Sequence, residues 1–188
     1  FPVIRDVTNN LLEKWSLAAK DNRIIDVQKE MMRYTVDITT KIAFGYEMNT
    51  LNGENDALQE HLERIFPMIN NRITAPLPIW RYYKSKKDKA LDNSLKYLEE
   101  TIHEFIRKAK NKLDNNPELK EHPTNFLEAL LVEQEQNASF TDKEIYGNVF
   151  TMLLAGEDTT SNSISWTIYY LAQHPEIVSR IRNEVNHV

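Results

Sequence analysis

The sequence of 188 residues contains no cysteine. The chain by itself therefore has no disulfide, no cysteine-based zinc site, no thiol nucleophile and no thiolate ligand for iron. Glycine and proline are also few, at 4 and 7 residues, which excludes a collagen-like or a Pro/Gly-rich disordered composition. The longest apolar stretches, such as 149–155, fall far short of the ~20 residues that span a bilayer.

The ends of the sequence are unusual for a complete protein. Phe1 is not an initiator Met, no secretion leader precedes it, and the chain ends inside an amphipathic pattern. We therefore expect a piece of a longer protein with a cytoplasmic location, although a membrane anchor in a preceding segment would change that location.

The charge balance argues against two classes of partner. There are 28 acidic residues against 23 Lys and Arg, a net charge of −5, which disfavours general binding to nucleic acid or anionic lipid. The five histidines lack the i, i+4 spacing of a helical zinc site, so we expect no metal ligand among them.

Apolar residues recur at helical spacing along nearly the whole chain, and the alternation typical of strands is absent over any useful length. The sequence therefore predicts an all-α fold. The predicted helices are a short one around 11–15, one over 24–42 that ends at Gly45, one over 58–69, a long one over 91–113 and a short one around 126–131.

A distinctive loop covers residues 75–83, where two closely spaced prolines exclude regular helix. Five large apolar or aromatic side chains in the loop lead us to expect that it rests on an apolar surface. The basic residues that follow indicate either a solvated helix start or transient membrane contact of this loop.

A long helix begins at Thr141. Thr141 and Glu144 have the spacing of a capping box, in which the hydroxyl accepts from a backbone N–H and the Glu side chain reaches back. No strong stop follows before His174, which precedes Pro175. The predicted helix has roughly 33 residues and is about 50 Å long.

Residues 156–163 place mostly polar side chains at the middle of this helix. Buried polar groups are costly without partners, so this stretch indicates an internal wet cavity or a ligand site. Thr159 can hydrogen bond back to the carbonyl of Ala155, and Asp158 places an ionisable group beside that hydroxyl. The alternative is that the stretch marks an exposed face, or a junction between two shorter helices.

The segment Ala155-Gly-Glu-Asp-Thr-Thr160 matches the Ala/Gly-Gly-x-Asp/Glu-Thr-Thr signature of the central I helix of cytochromes P450. The following Leu171-Ala-Gln-His-Pro-Glu176 is similar to the start of the next helix in that family. The order of elements resembles the family's helices D to J, so residues 1–188 resemble the central helical part of one cytochrome P450 domain.

The resemblance implies roles for the central motif. Ala155 and Gly156 are implied neighbours of a haem b cofactor at its oxygen site. Thr159 is implied to hydrogen bond bound dioxygen, and Asp158 to relay protons from solvent. Glu157 falls at the variable position of the signature and inherits no role.

The resemblance also implies a substrate pocket. Ile65, Phe66 and Ile69 would line it together with the loop at 76–80, and Phe150 and Leu154 could face the same cavity. Ordinary helix packing is the alternative for each of these residues.

The family's activity is a monooxygenase reaction that inserts one atom of O2 into a hydrophobic organic substrate. Electrons come from NAD(P)H through a reductase or a ferredoxin- or flavodoxin-type donor. The family's Cys-containing haem loop and its Glu-x-x-Arg pair are absent here, so the activity would belong to the parent protein and this segment alone would be inactive. A non-enzymatic helical ligand-binding or interaction module is the competing interpretation.

Overall fold

The fold is built from helices in the part of the chain that the structure describes, which is residues 2–53, 56–137 and 140–187 of a computed structural model. No strand occurs within these ranges, which confirms the all-α prediction. In chain order the described helices are α1 (Pro2–Lys20), α2 (Val27–Phe44), α3 (Asp56–Glu63), α4 (Ile65–Thr74), α5 (Lys86–Asn115), α6 (Glu118–Glu121), α7 (Phe126–Gln136), α8 (Asp142–Gln173) and α9 (Pro175–Val185).

The long helix α8 organises the rest and has 32 residues. The predicted capping box is present: the Thr141 hydroxyl accepts from the Glu144 N–H, and the Glu144 carboxylate accepts from the Thr141 N–H at 2.7 Å. The helix ends at Gln173 because Pro175 disfavours helical backbone at the residue before it. The prediction for this element is confirmed to within one residue.

Two apolar cores hold the helices together. The main core combines buried residues of α2, α3, α4, α5, α7 and α8. A smaller core joins α1, α2 and Leu51, and Ile164 and Ile168 of α8 pack against it. The buried residues of α8 recur every four positions: Ile145, Val149, Leu153, Glu157 and Ser161. One stripe of α8 is therefore inside the protein, and its most extensive packing is against α2.

The first two helices differ from prediction in their extent. Helix α1 has 19 residues and is not short. Helix α2 begins at Val27, because the Asp26 carboxylate caps it by accepting from the Lys29 N–H at 3.1 Å. Ile24 consequently lies outside the helix and is fully exposed. The predicted end at Gly45 is confirmed, with a left-handed φ of 68°.

The helix predicted over 58–69 is two helices. The break falls at Arg64, between α3 and α4. Pro67 explains it, because proline has no N–H to donate to the Glu63 carbonyl and its ring crowds that carbonyl. The prediction followed the apolar spacing and overlooked the proline.

The loop at 75–83 does not rest on an apolar surface, so that expectation is wrong. Leu77, Ile79, Tyr82 and Tyr83 are all more than half exposed. Trp80 is half-buried, and the Arg72 guanidinium lies 5.7 Å from the centre of its ring. Membrane contact of this loop stays a prediction. None of the described helices combines the length and apolar character that crossing a bilayer requires.

Helices α2 and α8 approach each other closely at Gly156. A Cβ atom at this position would come within 2.7 Å of the Thr39 Oγ1 and 2.9 Å of the Thr39 Cγ2. Real side chains do not make contacts this short, so the absence of a side chain at 156 permits the observed distance between the helices. Gly147 lies nine residues earlier in α8, and a Cβ atom there would meet no atom within 4 Å.

These two glycines form a matched pair for a stability test. Alanine has a higher helix propensity than glycine by about 1 kcal/mol, so Gly147→Ala should raise the free energy of unfolding by up to that amount. Gly156→Ala gains the same propensity but must displace Thr39, and overpacking of this kind costs about 1–3 kcal/mol. Denaturant unfolding should therefore show Gly156→Ala to be less stable than Gly147→Ala by about 1–3 kcal/mol. Equal stability of the two variants would contradict the close approach.

Candidate functional site

Helix α8 continues without interruption through residues 156–163, so the stretch is not a junction between two helices. The helix tolerates these polar side chains because their hydroxyls bond to carbonyls of the preceding turn. Thr159 Oγ1 donates to the Ala155 carbonyl at 2.8 Å, which confirms the predicted back-bond. Ser163 Oγ donates in the same way to the Thr159 carbonyl at 2.8 Å.

One side of the motif is exposed and is formed by Ala155, Thr159 and Ser163. They are spaced four residues apart and so share one side of α8, which we call the open face. A groove of about 840 Å³ continues along α8 from Ala155 toward Thr141 and is also lined by Met152 and Phe126. The open face therefore presents a methyl group and hydroxyls beside partly apolar surface.

The opposite side of the motif packs against α2. The Thr35 hydroxyl donates to the backbone carbonyl of Glu157 at 3.1 Å, and Ser161 is fully buried. A side chain at position 156 would point toward Thr39 of α2. Gly156 therefore packs against a neighbouring helix. Its proximity to a haem cofactor stays a prediction.

Asp158 lies on a third side of α8 and lines a cavity of about 520 Å³. Its Oδ1 accepts from the Asn162 side-chain amide at 3.0 Å, and Asn162 Oδ1 in turn accepts from Gln28 Nε2 at 3.0 Å. This network fixes the Asp158 carboxylate between α8 and the start of α2. Asp158 and Thr159 are adjacent in sequence, yet one lines the cavity and the other lies on the open face.

The cavity lies between α2, the α3–α4 junction and α8. Its apolar lining includes Met32, Leu62, Phe66 and Pro67. Its charged lining is mostly acidic: Asp26, Glu63, Glu157 and Asp158, together with Lys29.

Glu157 is the residue that sequence reasoning missed. Only 1% of it is exposed, and its Oε1 atom is buried without a hydrogen-bond partner. Burial, and after it the negative charges of Asp158 and Glu63, raise the pKa of the Glu157 carboxyl to about 8. A signal was available in the sequence, because 149, 153, 157 and 161 share the four-residue spacing of the buried stripe.

The five predicted pocket residues do not converge on this cavity. Phe66 lines it and is 37% exposed. Ile65 is 2% exposed and belongs to the main core, and its pocket role stays a prediction. Phe150 and Leu154 are partly buried against the same core, and Ile69 is 40% exposed.

The fold and motif define a helical domain in which an acid and an alcohol, Asp158 and Thr159, are adjacent on the longest helix. The cytochrome P450 family model matches residues 1–188, so the chain belongs to the cytochrome P450 family.

The chain is 24% identical to the chloroplastic protein LUTEIN DEFICIENT 5 of Arabidopsis thaliana, over 97% of this chain and 32% of that protein. It is 26% identical to cytochrome P450 4A10 of Rattus norvegicus, over 100% of this chain and 39% of that protein. The fold is similar to a crystal structure of the cytochrome P450 CYP102L1, with a TM-score of 0.77 and 21% identity over 98% of this chain and 41% of that one. The chain thus spans 32–41% of the length of these proteins.

The raised pKa of Glu157 predicts a pH dependence of stability. An unfolded Glu titrates near pH 4.3, so between that pH and about 8 Glu157 holds its proton more tightly in the folded chain than in the unfolded one. The contribution of Glu157 to the free energy of unfolding should therefore fall as the pH rises through this window, and level off above it. The loss should be a few kcal/mol at most.

Glu157→Gln isolates this contribution, because glutamine has the same size and does not titrate. Denaturant unfolding of both proteins at pH 5, 7 and 9 should show the original chain losing stability relative to Glu157→Gln as the pH rises. Parallel pH profiles would show that Glu157 does not keep its proton in the folded chain.

Proposed function

We propose that this chain is the central helical part of a single cytochrome P450 domain, in a monooxygenase that inserts one atom of O2 into a hydrophobic organic substrate. The observation that carries the proposal is the arrangement around Asp158 and Thr159, in a chain that belongs to the family. The acid lines a cavity beside α2, and the alcohol stands on the open face one residue later. The family match disfavours a non-enzymatic helical module.

The open face fits contact with one side of a haem. Ala155 places only a methyl group on this face, and Thr159 places a hydroxyl one turn later; both are exposed. Ala155 would lie against the haem. The thiolate ligand of the haem iron would come from outside this chain, which has no cysteine. Within the described ranges, no three His, Asp or Glu residues converge as a metal site. When bound, the haem supplies the oxygen-activating chemistry.

The hydroxyl of Thr159 can present a proton on the open face. It donates to the Ala155 carbonyl in the resting arrangement, and its two lone pairs stay free to accept. A hydroxyl that both donates and accepts can pass its proton to a reacting oxygen and take up another proton from a neighbouring acid.

The carboxylate of Asp158 would supply that proton. It lines a cavity with polar and charged walls, which gives it exchange with solvent. The bond from Asn162 fixes one carboxylate oxygen and leaves the other available. We place proton uptake at Asp158 and proton presentation at Thr159.

The substrate would approach the open face over apolar side chains. Phe66 and Ile69 of α4 are partly exposed, and Met152 and Phe126 line the groove that continues from Ala155. The proposed pocket residues are Ile65, Phe66, Ile69, Phe150 and Leu154, and their shapes would contribute to substrate choice. Electrons would come from NAD(P)H through a reductase or a ferredoxin- or flavodoxin-type partner.

The test is the coupling of reductant use to product formation in the complete enzyme. Thr159→Ala removes the hydroxyl from the open face and should lower the product formed per NAD(P)H consumed by about tenfold. Thr159→Ser retains a hydroxyl and should recover most of the coupling.

Thr167→Ala is the matched control. Thr167 is exposed and makes the same back-bond, to the Ser163 carbonyl at 2.8 Å, but it lies two turns further along α8. Loss of the Thr167 hydroxyl should leave the coupling of reductant use to product formation unchanged. Unchanged coupling in Thr159→Ala, or an equal loss in both variants, would argue against the role of Thr159.

A further inference from the structure

The cavity beside Asp158 has an excess of acidic side chains, and of these the proposed oxygen chemistry uses Asp158 alone. Four of its lining residues are acidic, and one is basic. The four acids come from three separate segments: Asp26 caps α2, Glu63 ends α3, and Glu157 and Asp158 belong to α8. The helices thus bring negative charge together from distant parts of the sequence.

Glu157 makes this cavity more than a cluster of surface acids. Its side chain is almost completely buried, and its Oε1 has no partner in the described structure. A buried polar atom without a partner costs about 1–3 kcal/mol. A positive charge beside Glu157 would stabilise its ionised carboxylate and would also offset the repulsion from Asp158 and Glu63.

Lys29 does not already fill this role. It lines the cavity, but its side chain is exposed, and among the described residues no ion pair joins it to the four acids. A bare metal ion is also disfavoured, since the described His, Asp and Glu residues include no group of three with metal-binding geometry. The walls are instead partly apolar, with Met32, Leu62 and Phe66 beside the acids.

We propose that this cavity binds the ammonium group of an amphipathic organic cation, with Glu157 and Asp158 facing the charge and Phe66 and Met32 contacting the apolar part. Phe66 is an aromatic ring in the same cavity, and aromatic rings attract quaternary ammonium groups. The volume of about 520 Å³ suits a small molecule. The site lies apart from the open face but shares Asp158 with the proposed proton route and Phe66 with the proposed substrate pocket. Cation binding itself requires no step of the oxygen chemistry.

Binding should release a proton from Glu157. Its carboxyl is protonated at pH 7, and a bound cation favours the ionised form. The other charged groups that line the cavity are Asp26, which caps α2, Lys29 of α2, Glu63 of α3 and Asp158 of α8. The proton release therefore gives a readout specific to the buried acid.

The experiment is calorimetric titration of the complete protein with 3-phenylpropyltrimethylammonium. This cation has no titratable proton and no lone pair for iron. Its uncharged analogue, with carbon in place of nitrogen, is the ligand control. At pH 7 the cation should bind more tightly than the analogue, and titrations in buffers of different ionisation enthalpy should show release of close to one proton.

Two variants identify the site. Glu157→Gln should abolish the proton release and weaken cation binding by about tenfold, with little effect on the analogue. Glu60→Gln is the matched control, because Glu60 is an exposed acid of α3 that pairs with Arg64 and does not line the cavity. It should change neither quantity.

Equal affinity for the cation and its analogue, absence of cation binding, or proton release that persists in Glu157→Gln would each overturn the proposal. The titration requires no turnover. The two experiments therefore test the two proposals independently. The coupling result decides the role of Thr159, and the titration decides whether the cavity binds cations.

Discussion

The rest of the structure depends on the close packing of α8 against α2 at Gly156. A helix this long can be rotated about its own axis, and each rotation would expose a different set of side chains. The contact with Thr39, at distances that no side chain at 156 would allow, selects one rotation. The buried stripe from Ile145 to Ser161 then follows from the four-residue repeat.

This rotation separates the chemistry of adjacent residues. Ala155 and Thr159 come to the open face, Asp158 to the cavity, and Glu157 to the interior. The arrangement has a cost, because Glu157 is buried with an unpartnered oxygen. Holding the Glu157 carboxyl in its neutral form reduces that cost at neutral pH, since a neutral acid is less expensive to bury than a carboxylate.

Local sequence signals predicted the elements that local interactions determine. The capping box at Thr141 involves neighbouring residues only, and it correctly marked the start of α8. The back-bond from Thr159 to Ala155 lies within one turn and was also predictable. Pro67 was an equally local signal for the break between α3 and α4, which apolar spacing alone obscured.

The sequence could not predict features that depend on contacts between distant segments. The motif indicated that Asp158 and Thr159 act as a pair, but the faces they occupy depend on where α2 packs. The cavity joins residues of α2, α3, α4 and α8, so its acidic lining has no signature in any one segment. Glu157 had no role by resemblance, and its importance comes from burial.

The rotational setting of α8 is the central claim, and single cysteines test it directly because the chain has none of its own. Ser161→Cys and Ser163→Cys are nearly isosteric changes two residues apart, one on the buried stripe and one on the open face. Maleimide should modify the folded Ser163→Cys chain quickly, and the Ser161→Cys chain at least about 100-fold more slowly, because its thiol reacts only on opening of the fold. Similar rates at the two positions, or faster modification at 161, would contradict the account.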